Sequence, residues 1–125
     1  MKKLYTFLFP FLAAVFLLPF SGNSQAKLVI SQVYGAGGNA GAVLNRDYVE
    51  IFNSGTVTAD LTGLSLQYAS ATGTGNFGSS ASQLVVLSGT VEPGRYYLVG
   101  LASGATGAAI PTPDATGTIA MAAGA

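Results

Sequence analysis

Residues 47–53 read DYVEIFN and are followed by a Ser-Gly pair. The β-branched and aromatic residues of this stretch predict one β-strand. Successive side chains of a strand point to opposite faces, so Val49 and Ile51 share one face and Glu50 lies on the other. An unpartnered Glu is costly in a core, and we therefore expect Val49 and Ile51 to face inward. Residues 53–55 then end the strand with turn-forming side chains.

The composition around this strand is that of an all-β domain. The chain has 125 residues, which is enough for one domain, and half of them are hydrophobic while only 8% are charged. Disorder driven by excess charge is therefore excluded. The chain contains 17 Gly and 5 Pro and shows no helical periodicity after residue 26, which favours short strands joined by many turns.

The chain contains neither Cys nor His. Disulfides, zinc sites with the usual ligands, Cys nucleophiles and His-based catalytic triads are therefore excluded. An apolar core must stabilise the fold by itself, and we expect no cofactor.

The first 26 residues have the pattern of a signal peptide. Two lysines precede an apolar stretch at 4–20, and the small residues Ser24 and Ala26 stand where a signal peptidase reads. An uncleaved anchor is the alternative, but about 17 apolar residues is the lower limit for a membrane span, and two prolines interrupt this stretch. We predict cleavage after Ala26, which would leave residues 27–125 as a secreted or cell-surface domain with no membrane segment.

The segment 27–125 is mildly acidic. Three Lys and Arg stand against five Asp and Glu, which gives a net charge of −2. Such a surface is a poor counter-ion for phosphate backbones, and we expect no direct nucleic-acid binding.

Two further stretches predict strands before the apolar residues that lead into the strongest turn of the chain. Residues 27–34 alternate, with Leu28 and Ile30 on one face, and the Gly-rich residues 35–41 follow. A phosphate cradle would need a helix next, so a flexible surface connection is the better interpretation of this loop. Residues 64–68 follow a turn at 60–63, and residues 69–82 form a loop.

The turn signal lies at residues 92–95, which read EPGR; the apolar residues 84–87 and Val91 precede it, and the apolar run 96–99 follows it. Pro and Gly at its two central positions are what a type II turn requires. The arrangement predicts either a β-hairpin or a turn joining two strands of a sandwich. Two prolines make residues 102–117 a loop, and residues 118–121 begin another strand.

These alternations predict the core of the domain. We expect inward-facing side chains from each main strand, namely Ile30 or Val33, Val49, Ile51, Leu64, Leu66, Val91 and Leu98.

Four segments in this order resemble a lamin tail domain, and in particular its bacterial secreted version. They are ISQVYG at 30–35, DYVEIFN at 47–53, DLTG at 60–63 and LSGTVEPGRYYL at 87–98. The resemblance implies an immunoglobulin-like antiparallel β-sandwich over residues 27–125. Gln32 stands where this family often has an acidic residue, and Leu64 stands where it often has Trp.

The resemblance also implies a role. Such domains often lie near the N-terminus of exported proteins, including extracellular nucleases of the endonuclease/exonuclease/phosphatase class, and are thought to serve attachment or interaction. The family has no agreed catalytic residues to carry over. A non-catalytic interaction module that binds a protein or a cell-surface ligand is therefore the first hypothesis, and a stand-alone glycan- or surface-binding domain is the alternative.

The side chains that could carry chemistry have simpler explanations. The carboxylates occur in turns or at a strand, without the spacing of a calcium loop, so we expect no catalytic, metal or cofactor site. They are Asp47, Glu50, Asp60, Glu92 and Asp114. The tyrosines at 34, 48, 68, 96 and 97 could form a platform for sugars or a protein partner, or could be cross-strand pairs.

The C-terminal residues suggest an incomplete domain. The predicted strand at 118–121 has no partner strand after it, and Ile119 and Met121 would lie exposed on an unpaired edge. We therefore expect residues 27–125 to be a sandwich truncated at its C-terminus, and the chain to be poorly soluble or only partly ordered.

Overall fold

A computed structural model describes residues 25–122, and the regular secondary structure of these residues is almost entirely β-strand. The strands are β1 Leu28–Tyr34, β2 Arg46–Asn53, β3 Ala59–Asp60, β4 Ser65–Gln67, β5 Leu84–Val86, β6 Thr90–Val91, β7 Tyr96–Ser103 and β8 Ala115–Thr116. One 3-10 turn, Ala81–Gln83, precedes β5. No helix within 25–122 is long and apolar enough to cross a membrane. The predicted signal peptide lies almost wholly outside the described residues.

The strands form one large sheet and two short pairs. The large sheet has the order β1-β2-β7-β8, in which the first three strands are antiparallel and β8 runs parallel to β7. The strand β3 pairs with β6, and β4 pairs with β5, both antiparallel. Side chains from the large sheet and from both pairs meet in one apolar cluster. The predicted all-β sandwich is confirmed, with a short parallel pairing at one edge.

The core lies between β2 and β7 on one side and the short pairs on the other. Val49 and Ile51 of β2 face it as predicted, and Val91 of β6 is also buried as predicted. They contact a set of residues that the predicted core does not include, namely Leu61, Val85, Leu87, Tyr97, Val99, Leu101 and Ile119. Leu66 is half-buried and packs against this cluster.

Two predicted core residues lie elsewhere. Leu98 is half-buried on the opposite face of the sheet, where it is paired with Glu50, because the alternation of β7 directs Tyr97 and Val99 into the core. Leu64 precedes β4 in a turn and is 43% exposed. The prediction that Leu64 and Leu98 are core residues was therefore wrong.

The first strand contains a β-bulge that changes its alternation. The register with β2 shifts between Ile30 and Gln32, so that Ser31 is the extra residue. Val33 therefore shares the face of Ile30, whereas unbroken alternation placed it opposite. The two side chains lie across from buried residues of β2, yet they are 57% and 60% exposed. The prediction that one of them is buried was wrong, because no described residue covers this part of the core face.

The turn at 92–95 connects the two layers. The main-chain N–H of Arg95 donates to the Glu92 carbonyl oxygen at 3.1 Å, and Gly94 has a φ of 71°, which a residue with a side chain rarely adopts. The turn leads from β6, which pairs with β3, into β7, which pairs with β2. Of the two alternatives, the turn between two strands of a sandwich is correct.

The C-terminal part of the described chain differs from the prediction. The predicted loop at 102–117 begins only after β7 ends at Ser103, and it contains β8. Residues 118–121 form no strand. Ile119 is buried in the core, and its carbonyl oxygen accepts a hydrogen bond from the Ala102 N–H at 2.9 Å. The predicted exposed edge at Ile119 was wrong, and the long unpaired edge among the described strands belongs to β1.

Candidate functional site

Asp47 is a buried carboxylate whose hydrogen bonds are all structural. Its Oδ1 accepts bonds from the main-chain N–H groups of Ala36 at 2.9 Å and Gly37 at 2.7 Å. Its Oδ2 accepts a bond from the Met121 N–H at 2.8 Å. A Cβ at position 37 would clash with the main chain of Arg46, so only glycine permits this approach. Asp47 therefore anchors the Gly-rich loop, predicted to be a flexible connection, and the C-terminal segment.

Asn53 is the other buried polar side chain of β2. Its Nδ2 donates to the carbonyl oxygens of Val57 and Val91, both at 2.8 Å. Its Oδ1 accepts bonds from the N–H groups of Gly55 at 3.0 Å and Lys27 at 3.3 Å. Both N–H donors and both acceptor lone pairs of this amide are thus occupied by backbone groups. The side chain connects the end of β2 to the second layer.

Three of the remaining carboxylates are also used locally. Hydrogen bonds from the main chain and then the side chain of Thr62 lower the pKa of Asp60 below its ordinary value. Glu92 accepts a bond from the Thr58 hydroxyl at 2.7 Å, and Asp114 accepts one from the Leu98 N–H at 2.8 Å. Within residues 25–122 no three Asp and Glu side chains come together as metal ligands could.

The five tyrosines of residues 25–122 divide between different parts of the fold. Tyr34 and Tyr48 stack across β1 and β2 with ring centroids 5.5 Å apart, and Tyr96 packs on Phe52 across β2 and β7 at 4.7 Å. These contacts are cross-strand pairs on the outer face of the large sheet. The other two lie elsewhere: the buried Tyr97 donates its hydroxyl to the Ser88 carbonyl at 3.0 Å, and the Tyr68 hydroxyl accepts from the Ala122 N–H at 3.1 Å. One continuous tyrosine platform is therefore not formed.

A small cleft lies on the outer face near the Tyr34–Tyr48 stack. We call it the outer cleft; its volume is about 160 Å³, and it is lined by Gln32, Leu44, Tyr48, Glu50, Leu98, Ile110 and Pro111. The Glu50 Oε1 accepts a bond from the Ser31 hydroxyl at 2.7 Å. The second oxygen of that carboxylate has no hydrogen-bond partner among the described residues. Apolar walls with a carboxylate and an amide are the usual makeup of a small-ligand site.

A second candidate surface lies where the sandwich is open along β1. We call it the open side. It contains an apolar groove of about 180 Å³, lined by Ile30, Val33, Val49, Leu66, Gln67, Tyr68, Leu101, Ile119 and Met121. A neighbouring cleft of about 230 Å³ continues it and is lined by Leu28, Val29, Ile30, Ile51, Leu64, Ser65, Leu66 and Leu87.

The open side separates two unpaired strand edges. Among the described strands, β1 pairs only with β2, and β4 pairs only with β5. The free edge of β1 belongs to the large sheet, and the free edge of β4 belongs to the second layer. Apolar side chains that face the core are therefore exposed between two edges with unused main-chain N–H and C=O groups.

Comparison with known proteins confirms the resemblance to a lamin tail domain. The family model described as Lamin Tail Domain matches residues 21–124. Neither the curated proteins nor the solved structures include one with significant similarity to this chain. The family consists of immunoglobulin-like domains that are not enzymes, in agreement with the strand architecture and with the structural use of Asp47 and Asn53. The chain belongs to the lamin tail domain family.

Proposed function

We propose that this chain is a non-catalytic interaction module of an exported protein. Its role would be attachment or targeting, as the N-terminal part of a longer secreted or cell-surface protein such as an extracellular nuclease. The lysines and apolar stretch that begin the sequence support export. Membership of the lamin tail domain family supports a binding role without catalysis.

One observation carries the proposed interaction. Ile30 and Val33 lie on the core face of β1, yet more than half of each side chain is exposed. Contiguous apolar surface of this kind marks sites of protein–protein contact. The polar groups of the interior, in contrast, are bound within the fold: no buried side-chain N or O of the described residues lacks a partner. The module thus offers a surface for binding rather than a reaction centre.

Site-specific cross-linking in the exporting cell tests this proposal. A photo-crosslinking amino acid at position 33 should give covalent adducts, since this position lies in the apolar groove. The same amino acid at position 86 is the control, because Val86 is also exposed and lies outside both clefts of the open side. Adducts at position 33 that do not exceed those at position 86 would show that the open side binds nothing.

A second candidate function is glycan binding, and the outer cleft favours it. Apolar walls can pack against the C–H face of a sugar, while the free oxygen of Glu50 and the amide of Gln32 can bind its hydroxyls. Retention on insoluble cellulose or chitin should then be lost in Glu50→Ala and kept in Val86→Ala. Equal retention of both variants would assign any binding to another surface.

A further inference from the structure

The outer edge of β1 lacks the features that normally prevent edge-to-edge pairing. Its sequence, LVISQVY, contains neither a charged residue nor a proline. Natural sheets protect exposed edges with charges, prolines, bulges or a covering segment. Here the bulge at Ser31 is the one such device within the strand, and it limits any added ladder to short runs on either side.

The apolar surface beside this edge is uncharged throughout. The groove and its neighbouring cleft share Ile30 and Leu66, so they form one continuous surface along β1. No residue that lines either cleft carries a charge. Neither like-charge repulsion nor the desolvation of an ion therefore opposes the approach of a second apolar surface.

We propose that the open side is a homotypic interface at which two copies of this chain pair. This proposal rests on the proposed interaction function and names its partner. An edge of this kind accepts an extended, uncharged strand with apolar side chains on one face, and β1 itself has these properties. The contact would be isologous, with β1 antiparallel to β1 of the second copy. The Ile30 and Val33 side chains of each copy would then cover the open core face of the other.

Two charged residues of the described chain lie next to this edge, and both are compatible with such a dimer. Glu50 lies on β2 beside Ser31. The two Glu50 backbones of a dimer would be three strand spacings, about 14 Å, apart, which exceeds the screening length of about 8 Å at physiological salt.

Lys27 directly precedes β1. In an antiparallel pair centred between Ser31 and Gln32, Ile30 of each copy lies opposite Val33 of the other on the core face. The two Lys27 residues then lie at opposite ends, about 30 Å apart at the rise of an extended strand. That separation is several times the screening length at physiological salt, so the two ammonium groups do not repel each other appreciably.

Sedimentation velocity on the chain recovered from the exporting host tests the proposal. The sedimentation coefficient should rise from the monomer value to the dimer value between about 1 and 500 μM. Amide exchange of the β1 residues should slow over the same range, while exchange in β7 stays constant, because β7 lies in the interior of the sheet. A chain that remains monomeric up to the highest concentration contradicts the proposal.

Matched variants locate the contact. Val33→Lys should weaken dimerisation at least about tenfold, because it places like charges in the interface. Val86→Lys, on an exposed position of β5, should dimerise like the parent chain. Equal effects of the two substitutions would place the interface elsewhere. Both variants must retain the circular dichroism spectrum of the parent; if Val33→Lys does not, Ile30→Lys takes its place.

Cross-linking distinguishes the failure of the homotypic interface from the failure of the proposed interaction function. Adducts from position 33 that contain only two copies of the chain support the homotypic interface. Adducts that contain only other proteins would overturn it and leave the interaction function standing. No adducts above the level of position 86 would overturn both.

Discussion

At the scale of single residues, two buried polar side chains of β2 hold the fold together. Asp47 binds three main-chain N–H groups from two separate segments, and Asn53 binds four main-chain groups from the loops and strands around it. Leaving such a group buried without its partner costs about 1–3 kcal/mol. These contacts explain why polar residues occupy a strand whose neighbours form the core.

Asp47 gives the sharpest prediction at this scale. In Asp47→Asn one oxygen can still accept from the Ala36 and Gly37 N–H groups, but an NH₂ group replaces the acceptor of the Met121 N–H. We expect a loss of about 1–3 kcal/mol in the free energy of unfolding. The Met121 amide should exchange faster while the amides of 36 and 37 change little.

The comparison variant is Asp47→Ala, which removes both acceptors. It should be more destabilising than Asp47→Asn and should accelerate exchange at all three amides. If Asp47→Asn leaves exchange at Met121 unchanged, the bond between β2 and the C-terminal segment does not hold that segment in place.

At the scale of the strands, the alternation of the sequence often predicts which face of the sheet a side chain lies on. It does not predict whether other residues bury that face. Val49 and Ile51 are assigned correctly because the acidic Glu50 between them fixes the phase. The run YYLV of β7 has no polar residue to fix its phase, so Leu98 was assigned to the core in place of Tyr97. The Tyr97 hydroxyl reaches the Ser88 carbonyl from inside the core, a partner that only the folded chain reveals.

The same limits apply to the candidate surfaces. The bulge at Ser31 has no signature in the alternation of β1, so the common face of Ile30 and Val33 could not be predicted. The outer cleft could not be predicted either, because it depends on the register of three strands and on the position of the loop at 110–111. The sequence did indicate an unpaired edge, but placed it at residues 118–121 rather than at β1.

A cross-strand pair in β1 and β2 tests how burial differs along this sheet. Ile51→Ala should cost about 2–5 kcal/mol of unfolding free energy, because the side chain is buried in the core. Ile30→Ala, directly opposite, should cost less than about 1 kcal/mol, since most of that side chain is already exposed. Chemical denaturation of the two variants measures the difference. Equal costs would mean that Ile30 is covered in solution.

At the scale of the whole molecule, the proposed export of the chain and the proposed binding surface along β1 are consistent with each other. The predicted signal peptide ends one residue before β1, so cleavage after Ala26 would place the new N-terminus, Lys27, next to the open side. An exported module of the lamin tail domain family would then present this surface outside the cell.

N-terminal sequencing of the chain from the medium or surface of an expressing cell checks the export prediction. The sequence should begin at Lys27, because Ser24 and Ala26 supply the small residues that a signal peptidase requires. Replacing Ala26 by Phe should block cleavage, whereas replacing Gln25 by Glu should not. Recovery of the chain from a stable membrane fraction with Met1 intact would refute the prediction.

The central claim is that the sandwich is open along β1. The most direct test places a lysine at each position of one cross-strand pair in turn and measures the stability of the two variants. Val33 and Val49 lie opposite each other on the same face, 57% and 3% exposed. At a concentration where the chain is monomeric, Val33→Lys should change the free energy of unfolding by less than about 1 kcal/mol. Val49→Lys should lower it by at least about 3 kcal/mol, because it buries an unpaired charge. If Val33→Lys destabilises the fold as strongly as Val49→Lys, the side along β1 is closed and the account is contradicted.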